Sequence, residues 1–188
     1  MKKNRAVFLD RDGTINEEVG YLSSIEQLRI FPAAFDAVRM INEAGMKVVV
    51  VTNQSGVARG FFDEDFVKAV HATINEMLRE KGAFIDGFYY CPHHPTEGIG
   101  SYRISCDCRK PAPGMLIRAS EELDIDLSSS YVVGDMVKDI ELANNVGARG
   151  ILVRTGYGKN VVSTDIKPAC IAEDILAAAE WIVRDQEK

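Results

Sequence analysis

The sequence predicts an α/β fold, a doubly wound parallel sheet of Rossmann-like type, on three observations. Short runs rich in β-branched and aromatic residues recur along the 188 residues. They are apolar at successive positions, so both of their faces must be buried. Stretches with apolar residues at helical spacing separate them, as crossovers between parallel strands require. In such a sheet ligands bind outside the carboxyl ends of the strands.

Taken in order, AVFL at 6–9 is the first strand, and a helix is expected near 33–44. VVVV at 48–51 is the second strand. Over 63–81, Phe66, Val70, Ile74, Met77 and Leu78 recur at helical spacing, with Asp63 placed to cap the start and Gly82 to end it. FYYC at 88–91 is the third strand, followed by a long loop, "HHPTEGIGSYRIS", and a helix near 114–123. YVV at 131–133, a helix near 138–146, GILV at 150–153 and a last helix near 173–184 complete the set. There is no repeat, low-complexity tract or linker, and the length is close to the roughly 150 residues of one domain. Residues 1–188 are therefore expected to form a single domain.

Apolar residues make up 46% and charged residues 27%, the usage of a soluble globular protein. The net charge of −6 argues against nucleic acid as a partner, which calls for a basic face. The start, MKKNRAVFLD, holds an apolar run too short for a signal peptide or a membrane span. A cytoplasmic protein with no membrane partner is expected, and nothing demands more than a monomer. In a reducing compartment its four cysteines favour metal binding or catalysis over disulfides.

Four strand-end motifs carry chemistry. Asp10 follows the first strand, and Asp12 can face the same crevice if the chain curls at Gly13. Two such carboxylates can share a divalent cation or divide into nucleophile and general acid/base; the plain alternative is a solvated acidic turn. Arg11, between them, is expected to point elsewhere and to contribute its backbone. In "VVVVTNQSG", Thr52 and Asn53 can donate to a phosphoryl oxygen, or merely cap a helix. In "CRKPAPGM", Arg109 and Lys110 precede a proline-stiffened helix start, either solvated or positioned to neutralise charge. In "YVVGDMVKDI", Asp135 and Asp139 lie about one turn apart and can approach one site, unless Asp135 is only an N-cap.

Cys91 with His93, and Cys106 with Cys108, form two close pairs of soft or borderline ligands that suit tetrahedral zinc. Four protein ligands leave no open position, so this zinc is structural. It would pin the loop at about 91–108 and with it the two cations that follow. His94 is then surplus and exposed, His71 lies on the polar side of its helix, and Cys170 reads as core.

In this order the four strand-end pieces resemble the haloacid dehalogenase (HAD) superfamily: "DRDGT" its first motif, Thr52 its second, Lys110 its third and "GDMVKD" its fourth. That resemblance implies that Asp10 attacks phosphorus to form an aspartyl-phosphate. Asp12 would protonate the leaving alkoxide and then activate water. Mg²⁺ would be held by Asp10, Asp135 and the backbone carbonyl of Asp12, with Thr52 and Lys110 clamping the phosphoryl oxygens. Asp139 would support Lys110 or a metal-bound water. The intervals between motifs are already consumed by strand, helix and zinc loop, so the fold is expected to be capless. Selection of substrate then rests on loops at 17–21, 54–60 and the zinc loop.

Together with "VTNQSGVARG", "YYCPHHP", "CDCRKPAPGM" and "VRTGYG", these pieces closely resemble the D-glycero-D-manno-heptose 1,7-bisphosphate 7-phosphatase family, whose nearest relatives are histidinol-phosphate phosphatases. The resemblance implies a small phosphorylated sugar as substrate. Glu18, Val19, Gly20 and Tyr21, then Asn53, Gln54 and Ser55, would line the sugar, and Arg109 would meet the second phosphate, aided by Arg59. Asp10, Arg11, Asp12, Thr52 and Lys110 complete the substrate contacts. Met136 departs from the family, whose members can carry a substrate-contacting lysine there. The alternatives are a histidinol-phosphate phosphatase, a receiver-like phospho-acceptor module, which Asp12 argues against, and a zinc-stabilised binding protein.

Overall fold

The computed structural model describes residues 3–161 and 165–186. Six parallel strands are ordered β3-β2-β1-β4-β5-β6: β1 Ala6–Leu9, β2 Lys47–Asn53, β3 Gly87–Cys91, β4 Tyr131–Gly134, β5 Arg149–Val153 and β6 Cys170–Ala172. The chain winds outward from β1 through β2 to β3, then returns to β4 on the other side of β1. This is the doubly wound arrangement, with its switch point between β1 and β4.

Alternation along each strand sorts the core into two layers. Val7, Leu9, Val48, Val50 and Val133 face one cluster with α1 (Pro32–Glu43), α3 (Glu64–Arg79) and α6 (Ile175–Gln186). Ala6, Phe8, Val49, Val51 and Val132 face the other, with α4 (Gly114–Glu122) and α5 (Val137–Asn145). Each fully buried Val or Leu contributes about 1.5–3 kcal/mol, so a one-residue slip of a strand would turn both layers inside out. The observed register places Leu9 beside Val50 and Val133, and the Asp10 N–H donates to the Val133 carbonyl at 2.9 Å. Asp10 is thereby set at the carboxyl edge, between β2 and β4.

The helices lie where periodicity places them. Asp63 caps α3 by accepting from the Phe66 N–H at 2.8 Å, and Gly82 follows its end at φ +74°. The three-residue β6 has no counterpart in the sequence reading, since CIA is too short to display a period; Cys170 lies half-buried on that edge strand, packed against the core. His71 does not lie on a polar face. It is 5% exposed, stacked on Phe88 with ring centroids 4.7 Å apart, because α3 turns this position onto β3. Among the described residues no helix is long and apolar enough to cross a membrane.

Candidate active site and metal centres

Four chain segments meet at the carboxyl edge. Lys110, almost wholly buried, places Nζ 2.8 Å from Asp10 Oδ1 and 2.8 Å from Asp139 Oδ1. Its position is set by Asn53, whose Oδ1 accepts from the Lys110 N–H at 3.0 Å while its Nδ2 donates to the Lys110 carbonyl at 3.2 Å. Two flanking carboxylates outweigh the cost of burial and hold the lysine pKa above its ordinary value. Asp10 moves up, because burial exceeds the pull of Lys110. Its Oδ1 also accepts from the Arg11 N–H at 2.8 Å.

Asp135 completes the acidic cluster. Its Oδ2 accepts from the Tyr157 N–H at 2.8 Å, whereas its buried Oδ1 has no hydrogen-bond partner among the described residues. Gly13 and Gly156 make room for it: a Cβ at either would fall 2.1 or 2.2 Å from Asp135 Oδ2, and their φ values are +80° and +49°. Burial and then the charge of Asp10 push the Asp135 carboxyl up to about 7. Asp135 is not the α5 cap. That place is taken by Met136, whose N–H donates to Asp139 Oδ2 at 3.1 Å.

One oxygen from each of Asp10, Asp135 and Asp139 lies within 4.8 Å of the others. Three buried carboxylates facing one lysine leave negative charge to be offset, and the Asp135 oxygen lacks a donor. Hard oxygen ligands of this kind fit a divalent cation such as Mg²⁺. Asp139 already spends one oxygen on Lys110 and the other on the helix cap, so it serves as support.

Arg11 overturns the expectation that it points away. It is 2% exposed, and its guanidinium donates to Asp12 Oδ1 and Oδ2 at 3.0 and 2.9 Å and to Gln54 Oε1 at 3.1 Å. Asp12 also receives Asn16 Nδ2 at 3.0 Å and Gln54 Nε2 at 2.9 Å. Burial pushes the Asp12 carboxyl up, but Arg11 and these donors prevail and hold it below the usual carboxylate range. A charged side chain beside a carboxylate in a closing turn is drawn in by pairing, an outcome that adjacency in sequence does not reveal.

These groups open into a cavity of about 280 Å³. Asp10, Arg11, Asp12 and Asp135 line it, together with Thr52, Asn53, Gln54 and Ser55. Glu18, Gly20 and Tyr21 also line it, while Val19 is 44% exposed and not part of the lining. Thr52 is buried and its Oγ1 accepts from Gln54 Nε2 at 2.8 Å. Arg109 donates to the His93 carbonyl at 3.1 Å and does not line the cavity. Arg59, half-buried, is spent on an ion pair with Glu97. Sequence reasoning missed Lys138 and Tyr157 in the lining, and the 155–157 turn that braces Asp135; Thr155 Oγ1 donates to the Gly13 carbonyl at 2.6 Å. The motif "VRTGYG" held that turn, but its contact with Gly13 is long-range.

The second centre is a loop site. Cys91 Sγ is 3.5 Å from Cys106 Sγ, which is 3.3 Å from Cys108 Sγ; His93 Nδ1 lies 3.4 Å from Cys108 and 3.8 Å from Cys91. No disulfide joins them. Ligands at zinc bond lengths subtend edges of roughly 3.5–3.8 Å, so the set fits Zn²⁺. Hydrogen bonding from the Cys91 thiol draws Cys108 down to about 5, towards the thiolate that ligation needs. His94 is half-buried rather than exposed, its Nδ1 accepting from the Glu97 N–H at 3.0 Å to shape the loop.

Residues 107–178 match the HAD-hydrolase-like family. Over 180 residues the chain is 41% identical to D-glycero-beta-D-manno-heptose-1,7-bisphosphate 7-phosphatase of Yersinia pestis, covering 95% of this chain and 89% of that protein. It is 44% identical to D-glycero-D-manno-heptose-1,7-bisphosphate 7-phosphatase of Thermosynechococcus vestitus, covering 94% of each. Among solved structures, D,D-heptose 1.7-bisphosphate phosphatase from B. bronchiseptica, complexed with magnesium and phosphate, superposes with a TM-score of 0.86 at 32% identity, covering 96% of this chain and 99% of that one. With identity of this extent over almost the whole chain, it belongs to the D-glycero-D-manno-heptose-1,7-bisphosphate 7-phosphatase family of HAD-like hydrolases.

Proposed function

We propose that this protein is a Mg²⁺-dependent phosphatase that hydrolyses the C7 phosphate of D-glycero-D-manno-heptose 1,7-bisphosphate. The observation that carries the reading is the buried Asp10–Lys110–Asp139 array, with the unpartnered Asp135 oxygen beside it, at the floor of a cavity. The names of its relatives give the substrate.

Asp10 is the nucleophile. Its Oδ1 is held by Lys110 and the Arg11 N–H, leaving Oδ2, which takes no hydrogen bond from the described residues, to attack phosphorus. The Oδ2–P bond forms as the P–O bond to C7 breaks, and Asp12 gives its proton to the departing alkoxide. Because Arg11 keeps Asp12 ionised in the free site, an ester arriving as the monoanion supplies that proton. Water then attacks the aspartyl-phosphate, Asp12 takes the proton, and inorganic phosphate leaves with Asp10 regenerated. Thr52 and Lys110 clamp the phosphoryl oxygens. Asp10, Asp135 and the Asp12 carbonyl would hold Mg²⁺, which would supply the positive charge that lets an anionic ester approach a carboxylate. Zinc at Cys91, His93, Cys106 and Cys108 is structural and fixes the loop that delivers Arg109 and Lys110. Glu18, Gly20, Tyr21, Asn53, Gln54 and Ser55 contact the sugar, while Val19 and Arg109, expected from the resemblance to contact the substrate, lie outside the cavity lining.

The chain acts as a single capless domain, a cytoplasmic monomer. Glu18 in the lining is the feature a cationic histidinol phosphate would use. A side-by-side comparison of phosphate release from the α and β heptose bisphosphates and from histidinol phosphate tests the reading. A higher kcat/KM on a heptose bisphosphate is expected; preference for histidinol phosphate overturns it.

A further inference from the structure

The cavity floor commits its positive charge unevenly. Of the described lining residues only Arg11 and Lys138 are cationic. Arg11 is spent on Asp12 and Gln54. Lys110 is buried and paired with Asp10 and Asp139, beside the carboxylate that attacks phosphorus. Lys138 differs from both. It is half-buried in the first turn of α5, lines the cavity, and forms no ion pair or hydrogen bond among the described residues. A lysine left unpaired in a lining that also contains Glu18, Asp12 and Asp10 is an available anion receptor on a flexible stem.

Resting on the proposed function, we propose that Lys138 is a specificity residue: its ammonium binds the second anionic group of the substrate, the one not being transferred. The class of ligand is a sugar carrying a second phosphate within a sugar's length of the scissile ester. The transferred phosphoryl already has Lys110 and the carboxylate-bound cation. An open-wall lysine is therefore free for the far end, where a phosphate dianion would otherwise face a floor dominated by carboxylates. Arg109, expected from the resemblance to meet the same phosphate, is anchored to the His93 carbonyl and lies outside the lining, so Lys138 is the cation that meets the ligand within the cavity.

The test compares Lys138→Met and Lys138→Arg on two substrates with the same scissile ester, heptose 1,7-bisphosphate and heptose 7-phosphate. Expected is a 10–100-fold fall in kcat/KM on the bisphosphate in Lys138→Met, carried by KM. That loss should exceed the loss on the monophosphate at least tenfold, and arginine should restore most of it. Equal losses on the two substrates, or none, overturn the proposal. In parallel, calorimetric binding of both sugars to Asp10→Asn, with and without Lys138→Met, reads the same selectivity without turnover. If the wild-type protein releases phosphate from neither sugar, the parent reading fails, and this binding ratio still decides Lys138: a ratio that Lys138→Met leaves unchanged overturns the assignment.

Discussion

The carboxylate centre and the thiol centre each gather their ligand atoms within 4.8 Å, yet they are assembled in opposite ways. Asp10, Lys110, Asp135 and Asp139 come from three distant parts of the chain, and strands and helix starts hold them at one edge of the sheet. Cys91, His93, Cys106 and Cys108 come from two close pairs, and apart from Cys91 at the end of β3 they lie in a loop. The fold builds the first centre; the second builds its own loop. A charged floor opening into a cavity leaves an oxygen lacking a donor, whereas four soft ligands close on one another. The comparison predicts that damage to the first removes chemistry, while damage to the second removes order from the segment that delivers Lys110.

The largest effect should follow Asp10→Asn, which keeps shape but loses the nucleophile. Phosphate release should fall by about 10³-fold or more, some 4 kcal/mol, while circular dichroism and zinc content match wild type. Retained turnover would remove Asp10 from its role.

Lys110→Met should come next, because it strands Asp10 and Asp139 without a countercharge. Removing one partner of a buried ion pair costs about 3–5 kcal/mol. Urea unfolding measures this, and a midpoint equal to wild type would mean that the two carboxylates are neutral in the fold.

Cys106→Ser tests the other half of the comparison. Zinc content should drop, amide exchange over 92–109 should quicken, and turnover should decline about tenfold through displacement of Lys110. Full zinc occupancy with unchanged exchange would separate the loop from the metal.

The smallest effect concerns His71. Its ring stacks on Phe88 and meets Tyr90, the residue before Cys91, and the charge of Arg11 acts on it. Burial, then Arg11, lowers its pKa from 6.5 to about 3. As pH falls below 6.5 the unfolded chain therefore takes up a proton that the folded chain refuses. The stabilisation is complete above 6.5 and drains away towards 3, by at most about 1.4 kcal/mol per pH unit. His71→Leu should flatten stability against pH in that window, as thermal unfolding at stepped pH would reveal. An unaltered slope would mean that His71 titrates normally.

Much of this was legible beforehand because it is local. The valines of β2, the Asp63 cap and the Cys-x-His and Cys-x-Cys pairs each declare themselves within one turn or one strand. What misled was direction. Adjacent to two aspartates, Arg11 read as outward-facing, but closure of the turn at Gly13 leaves its guanidinium inside with Asp12 and Gln54. Asp135 had a helix cap as its alternative reading, but Met136 and Asp139 share that duty. The Tyr157 N–H that braces Asp135 belongs to a loop after β5 that no spacing linked to it.

The amino-acid order alone determined which runs are buried on both faces, hence a parallel doubly wound sheet, and which residues stand at strand ends or in ligand-like pairs. Those follow from periodicity and chain geometry, which short windows contain. Only the tertiary structure decided which charges pair: Lys110 with Asp10 and Asp139, Arg11 with Asp12, and Lys138 with none among the described residues. Lys110 reaches its carboxylates from distant parts of the chain, which no local window contains, and even for the adjacent Arg11 and Asp12 it is closure of the turn and loss of the water between them that sets the pairing.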